Sequence, residues 1–235
     1  MKNLTYITTI AAAFLLFISS CKKDEVIDGG LSNEKVNMST YDYLQSHPRR
    51  MFDTTLLIID KAGMRDLING PGTFFVPNDY AIANYLATRQ REVRENDERN
   101  NFTLDSLMKY TPQMLRDSMG MYFFPERITR DVLNSTGKDY QTSTAGISLN
   151  IVLEERNEYQ QDGVITTKPK YIYLVKVNGE KDIFNASDDT HEDPSGEVEL
   201  EDEMTVCQTT GILTNNGVIH VLANYHSWIF KKLTD

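Results

Sequence analysis

The residue types that can do chemistry are few in this chain, and their spacing does not suit them to it. Four histidines occur, His47, His191, His220 and His226, with two cysteines, Cys21 and Cys207. Zinc hydrolysis is marked by two histidines one helical turn apart with a glutamate between them, and no His-Glu-x-x-His occurs. No Gly-x-Ser-x-Gly elbow presents a nucleophile. Asn69-Gly70-Pro71-Gly72 is glycine-rich but reads as a turn, not a phosphate cradle. Carboxylates crowd Asp188–Glu203, which holds nine acids, one histidine and no lysine or arginine. Calcium takes several carboxylate oxygens, but the ordered Asp-x-Asp-x-Asp-Gly spacing is missing, so the run reads as a solvated acidic insert. Carboxylates in water keep ordinary acidities, which removes general acid–base work. The reading is no catalytic residue, no metal and no cofactor. Aromatic rings offer a different chemistry, stacking on sugar faces. Tyr122, Phe123, Phe124, Tyr171, Tyr173 and Trp228 are candidates, set against core packing, the commoner use of such rings. Trp228, beside His226 near the C-terminus, is expected to be exposed; with Tyr122 it is the expected ligand contact.

Cys21 has a chemistry of its own. Residues 1–20 read as a secretory leader. Lys2 supplies positive charge, and Ile10–Ile18 is an apolar run of nine residues, well short of the roughly 20 that span a bilayer. Ile18-Ser19-Ser20-Cys21 resembles the lipobox of bacterial lipoproteins, in which the leader is cut before a cysteine that receives a diacylglycerol. Lipid on Cys21 would anchor the chain without spanning the membrane. Lys22-Lys23-Asp24-Glu25 resembles the surface-export signal of Bacteroidota-type bacteria. The expectation is therefore outer-membrane attachment through lipid, facing the cell exterior. With Cys21 so used, Cys207 has no disulfide partner and reads as a small buried hydrophobe.

The net charge is −10. Loss of Lys2 with the leader leaves 23 basic against 34 acidic residues, or −11. An acidic balance of this size argues against nucleic acid, which needs clustered Lys and Arg.

Residues 21–38 read as the lipidated cysteine and a tether, and 39–235 as one domain with an acidic insert around 185–203. Helical spacing covers Met51–Ile59, closing at Ala62-Gly63, with a short helix over Met64–Ile68. Thr73–Val76 is a short buried strand; Pro77 ends it, and Asn78 or Asp79 caps a helix through Leu86. Residues 89–101 are a solvated helix end and loop. Two short helices follow over Leu104–Tyr110 and Pro112–Met119. From Thr142 the pattern turns to strands. Ile147, Leu149, Ile151 and Leu153 alternate, Lys170–Val177 is the strongest strand, and Asn178-Gly179 predicts a hairpin returning through Lys181–Phe184. Asn215-Asn216-Gly217 precedes a strand over Val218–Leu222. Helices early and strands late make an α+β arrangement.

Two stretches resemble a known family. Thr73-Phe74-Phe75-Val76-Pro77-Asn78-Asp79-Tyr80-Ala81 is similar to the first signature of fasciclin domains, meeting its fixed positions at Thr73, Phe75, Pro77, Asp79 and Ala81. Asn216-Gly217-Val218-Ile219-His220-Val221 is similar to the second. Between them, Met114–Thr129 resembles the family's central helix and the run after it, except that Met121-Tyr122 stands where the family has Tyr-His. That departure weakens any carry-over of the adhesion chemistry linked to the pair. The resemblance implies a β-sandwich or wedge of about seven strands with several short helices packed on it. The signature residues read structurally: Asp79 to accept free amides at a helix start, Gly217 to allow a positive φ, His220 as a hydrogen-bonded core histidine. Together with the leader, the resemblance implies a non-catalytic surface lipoprotein acting in adhesion or in protein or glycan binding. The alternative is an accessory component of a polysaccharide or nutrient uptake system, assembled with outer-membrane transporter components.

Overall fold

A computed structural model describes residues 35–157, 168–185 and 187–231. Cys21 and the leader lie outside the described residues. No helix among the described residues is long and apolar enough to cross a membrane. Residues just before the expected boundary at Ser39 already join the fold: Val36 N–H donates to Leu213 O at 2.8 Å.

Among the described residues six α-helices come early. The first, α1 (Thr40–Gln45), starts where the Ser39 hydroxyl accepts from Asp42 N–H. Next come α2 (Asp53–Lys61) and α3 (Arg65–Ile68), separated by Gly63 at φ +62°. Asn78 caps α4 (Asp79–Asn96), accepting from Ala81 N–H; this helix runs ten residues past the expected end at Leu86, and its polar last turns are the solvated helix end read from the sequence. Then follow α5 (Leu104–Leu107) and α6 (Pro112–Gly120), the latter capped by Thr111 with Pro112 in its first turn.

The strands are β1 (Gly72–Val76), β2 (Phe123–Phe124), β3 (Lys138–Gln141), β4 (Ser148–Glu155), β5 (Lys170–Lys176), β6 (Ile183–Asn185), β7 (Thr190–Glu192), β8 (Glu203–Leu213) and β9 (Gly217–Leu222). Seven form one mixed sheet in the order β2-β1-β9-β8-β5-β4-β3. Only β1 and β9 run parallel, and every residue of both is buried, as expected for a parallel pair covered on both faces. β8 joins the two halves. Glu203–Val206 pairs with β5 and Cys207–Leu213 with β9, with register shifts between. Such bulges bend a strand. At the far ends Ser143 N–H, just past β3, donates to Phe123 O of β2 at 2.7 Å, so the sheet nearly closes into a barrel. The α+β class and the seven strands are as expected, but the two layers of a sandwich are here one continuous sheet bent at β8.

One pairing differs from the sequence reading. Gly179 does turn the chain, at φ +78°, but Ile183–Asn185 does not return along β5. It pairs with β7 in a separate two-stranded ribbon, because β5 already has β4 on one edge and β8 on the other. The acidic insert is also more ordered than a solvated loop. It carries β7, and its Asp193 and Asp202 are buried.

Candidate functional site

The signature residues build a seam between helices and sheet. The Thr73 hydroxyl donates to Glu126 O at 2.9 Å and accepts from Ile128 N–H at 2.7 Å, tying β1 to the segment after β2. Phe75 packs edge-on to Phe124 and stacks on His220, with centroids 4.7 Å apart. Pro77 O accepts the Thr55 hydroxyl at 2.7 Å. Asp79 accepts Thr54 and Thr55 N–H at 2.9 and 3.2 Å. It therefore accepts amides at a helix start, but those of α2 and not of its own helix, whose start Asn78 serves. Burial raises the Asp79 pKa and outweighs these amides, which lower it. Ala81 is buried. Asn216 Nδ2 donates to Asn69 O at 3.2 Å. Gly217 is not at positive φ, contrary to expectation. A Cβ there would come within 3.2 Å of Gly72 O, so close approach selects the glycine, and the turn conformation does not. The strained position is Gly72, at φ +146°.

His220 is fully buried. Its Nε2 meets Ile128 O at 2.9 Å and its Nδ1 accepts Gly211 N–H at 3.2 Å. The carbonyl fixes the proton on Nε2, and burial pushes the ring's pKa down to about 4. These residues hold the fold together and present no free functional group.

Trp228 and Tyr122 do not face solvent. Trp228 is 1 % exposed and Tyr122 wholly buried, which overturns their expected role as ligand contacts. Trp228 packs edge-on to Tyr85 at 5.2 Å, beneath α4; a C-terminal segment folded back against a helix buries its large ring for the apolar area gained. The Tyr122 hydroxyl accepts Ile229 N–H at 2.7 Å and meets His226 Nε2 at 2.7 Å, while Nδ1 meets the Thr205 hydroxyl at 2.9 Å. Each nitrogen of the His226 ring is thereby hydrogen-bonded, one as donor and the other as acceptor. Burial lowers the His226 pKa to about 3 and raises that of Tyr122. His226 lies 104 positions away from Tyr122 in the sequence.

The cavity with chemistry in it lies elsewhere. A cleft of about 370 Å³ opens between the outer face of β4, β5 and β8 and the β6–β7 ribbon. The alternation of β4 sends Leu149 and Ile151 to the core and Asn150, Val152 and Glu154 to the opposite face. The insert then covers that second face, leaving Glu154 3 % exposed. Glu154 meets His191 Nε2 at 2.9 Å and Arg156 Nη2 at 2.9 Å. Arg156 Nη1 donates to Asp189 O at 2.7 Å, and its guanidinium lies over Tyr173 and Phe184 at 4.8 and 4.9 Å. A buried carboxylate is tolerated only with such partners. Asp182 and Asp202 brace each other. Each carboxylate accepts the other's backbone N–H at 3.0 Å, and Asp202 also accepts Asn178 N–H at 3.0 Å. Burial raises the Asp182 pKa, as do the neighbouring charges of Asp202 and Asp193. Among the described residues no three His, Cys, Asp or Glu side chains are placed to hold a metal ion.

The sequence reading missed this cleft. Its one available signal was Glu154 within an otherwise apolar alternating strand, followed at once by Glu155 and Arg156. Comparison with known proteins adds nothing to the geometry: no protein-family model matches the chain, and no curated protein is significantly similar to it.

Proposed function

We propose that the chain is a non-catalytic surface lipoprotein, anchored through Cys21, whose fasciclin-like domain acts in adhesion or in protein or glycan binding. The observation that carries the binding reading is the cleft under the β6–β7 ribbon, a concave site whose walls mix apolar side chains with fixed polar groups, the usual make-up of ligand sites. Its nearest approach to catalytic machinery is the His191–Glu154 pair. Nucleophilic catalysis needs a hydroxyl or thiol on the other ring nitrogen, and among the described residues none hydrogen-bonds there. The fasciclin-like assignment rests on the two signature stretches, which lie side by side as β1 and β9 and their flanking turns.

The test is a glycan and matrix-protein screen on the soluble mature chain, followed by amide hydrogen exchange with any hit. A ligand that protects amides of residues 178–203 supports the cleft. A ligand that protects only other segments, or silence across the screen, overturns it. A hit confined to neutral polysaccharide favours the nutrient-uptake alternative.

A further inference from the structure

We propose that a second pocket binds the carboxylate of an acidic sugar, with Arg49 meeting the charge. The site is separate from the cleft under the β6–β7 ribbon, and the inference stands without that cleft. The pocket, of about 300 Å³, lies between the loop joining α1 to α2 and the bent half of β8. Cys207 pairs with Leu222 and Thr209 with Val221, so Gln208 is one residue more than the partner strand supplies. Neighbours on a regular strand face opposite ways, and a bulge re-aims them. Here Gln208 and Thr209 are both exposed and both line the pocket.

The α1–α2 loop supplies the cation. Arg50 N–H donates to His47 O at 2.9 Å, and Arg50 sits at φ +51°, an uncommon setting for a residue with a side chain. This turn gives two adjacent arginines different surroundings. Arg50 pairs with Asp53 at 2.6 Å. Arg49 is exposed and lines the pocket, and among the described residues its guanidinium has neither ion pair nor hydrogen bond. Asn224 adds an oriented amide. Its Oδ1 accepts from Asn78 Nδ2 at 2.7 Å and its O from Asn84 Nδ2 at 3.0 Å, which leaves its own Nδ2 to donate.

The charge of the lining decides the sign of the ligand. Among the described residues no Asp or Glu lines this pocket, in a chain of net charge −10. An unpaired guanidinium matches the two oxygens of a carboxylate. The other lining groups favour a sugar over an acidic peptide. The Gln208 amide and the Thr209 and Tyr43 hydroxyls both donate and accept, as ring hydroxyls require. An aspartate or glutamate side chain would use Arg49 and leave those groups to water. Pro48, also exposed in the lining, offers an apolar face to the C–H side of a pyranose. The volume stands at the lower end for small-ligand sites, which suits one charged sugar unit.

The test uses the full-length protein in isothermal titration with a short oligogalacturonate, and backbone amide NMR shifts to place the sugar. The methyl ester of the same oligosaccharide is the neutral control, and a short polyglutamate is the peptide control. The expected result is saturable binding of the oligogalacturonate that shifts amides within residues 47–53 and 207–224. The ester and the polyglutamate should each bind at least about tenfold more weakly. Arg49→Met should lose about tenfold in affinity with its melting temperature kept, and Arg49→Lys should keep only part of the affinity. Equal binding of the ester, equal binding of polyglutamate, or full affinity in Arg49→Met overturns the proposal. Should a variant fail to fold, the comparison with the ester on the unaltered protein still decides it. Shifts confined to residues 178–203 would put the sugar in the first cleft and overturn the second site alone. Silence to the oligogalacturonate likewise overturns this site and leaves the first cleft to its own screen.

Discussion

The carboxylate of Asp79 lies 2.9 Å from the backbone nitrogen of Thr54, so the first residue of α4 closes the open end of α2. Phe52, at the capping position of α2, makes no side-chain cap of its own. A side chain that starts one helix thereby fixes the orientation of another, and the return bond from Asp79 N–H to Met51 O at 2.8 Å locks the pair.

Asp79→Ala should destabilise the fold by about 1–2 kcal/mol, the usual cost of losing a helix cap, read from the urea midpoint. Asp79→Asn keeps one acceptor oxygen and should cost less. Equal losses in the two variants would show that the charge matters and the cap geometry does not.

Tyr122→Phe removes one oxygen and strands two partners, Ile229 N–H and His226 Nε2, in a buried site. The expected loss is about 1–3 kcal/mol. Trp228→Ala should cost about 3–5 kcal/mol as a core cavity. Neither change should alter binding at the cleft once fully folded protein is compared, since both residues lie outside it.

His220 and His226 make stability depend on pH. Their folded pKa values, about 4 and about 3, lie below the ordinary value of 6.5, so the unfolded chain binds more protons. Stability is full above pH 6.5 and falls as the pH drops toward the folded values. With both histidines protonated only when unfolded, the slope approaches about 2.7 kcal/mol per pH unit. Urea titrations between pH 7 and 5.5 should show this fall, and His226→Gln should remove about half of it. A flat profile would place the histidines in contact with water.

Three glycines separate strain from space. A Cβ at Gly72 would fall 2.4 Å from Phe124 O at φ +146°, whereas Gly211, at φ +76°, has nothing within 4 Å. Gly72→Ala should prevent folding or cost several kcal/mol, and Gly211→Ala about 1 kcal/mol. Gly217→Ala, whose Cβ sits 3.2 Å from Gly72 O, should fall between. Melting temperatures of the three variants check the order.

Local signals carried most of the fold. The Asn78 cap, the Thr111-Pro112 start, the period-two run of β4 and the β9 strand each depend on a few adjacent residues, and each stands close to where its pattern places it. What depended on distant residues was not legible. The partner of β6 is set by the edges of β5, both of which are taken. Trp228 looked exposed because it sits near a terminus, yet α4 covers it. The cleft was hidden for a related reason. Alternation in β4 reports that one face differs from the other, and it cannot report that an insert some 35 residues downstream roofs the polar face, as His191 over Glu154 does.

The bond from Ser143 to Phe123 has a further consequence. A strand with an unpaired rim invites the same strand of a neighbouring molecule, and many copies held at one place raise that hazard. With the ends of the sheet joined, the seven-stranded body offers little such rim, and a crowded population of these chains is protected from zipping together along its largest β surface.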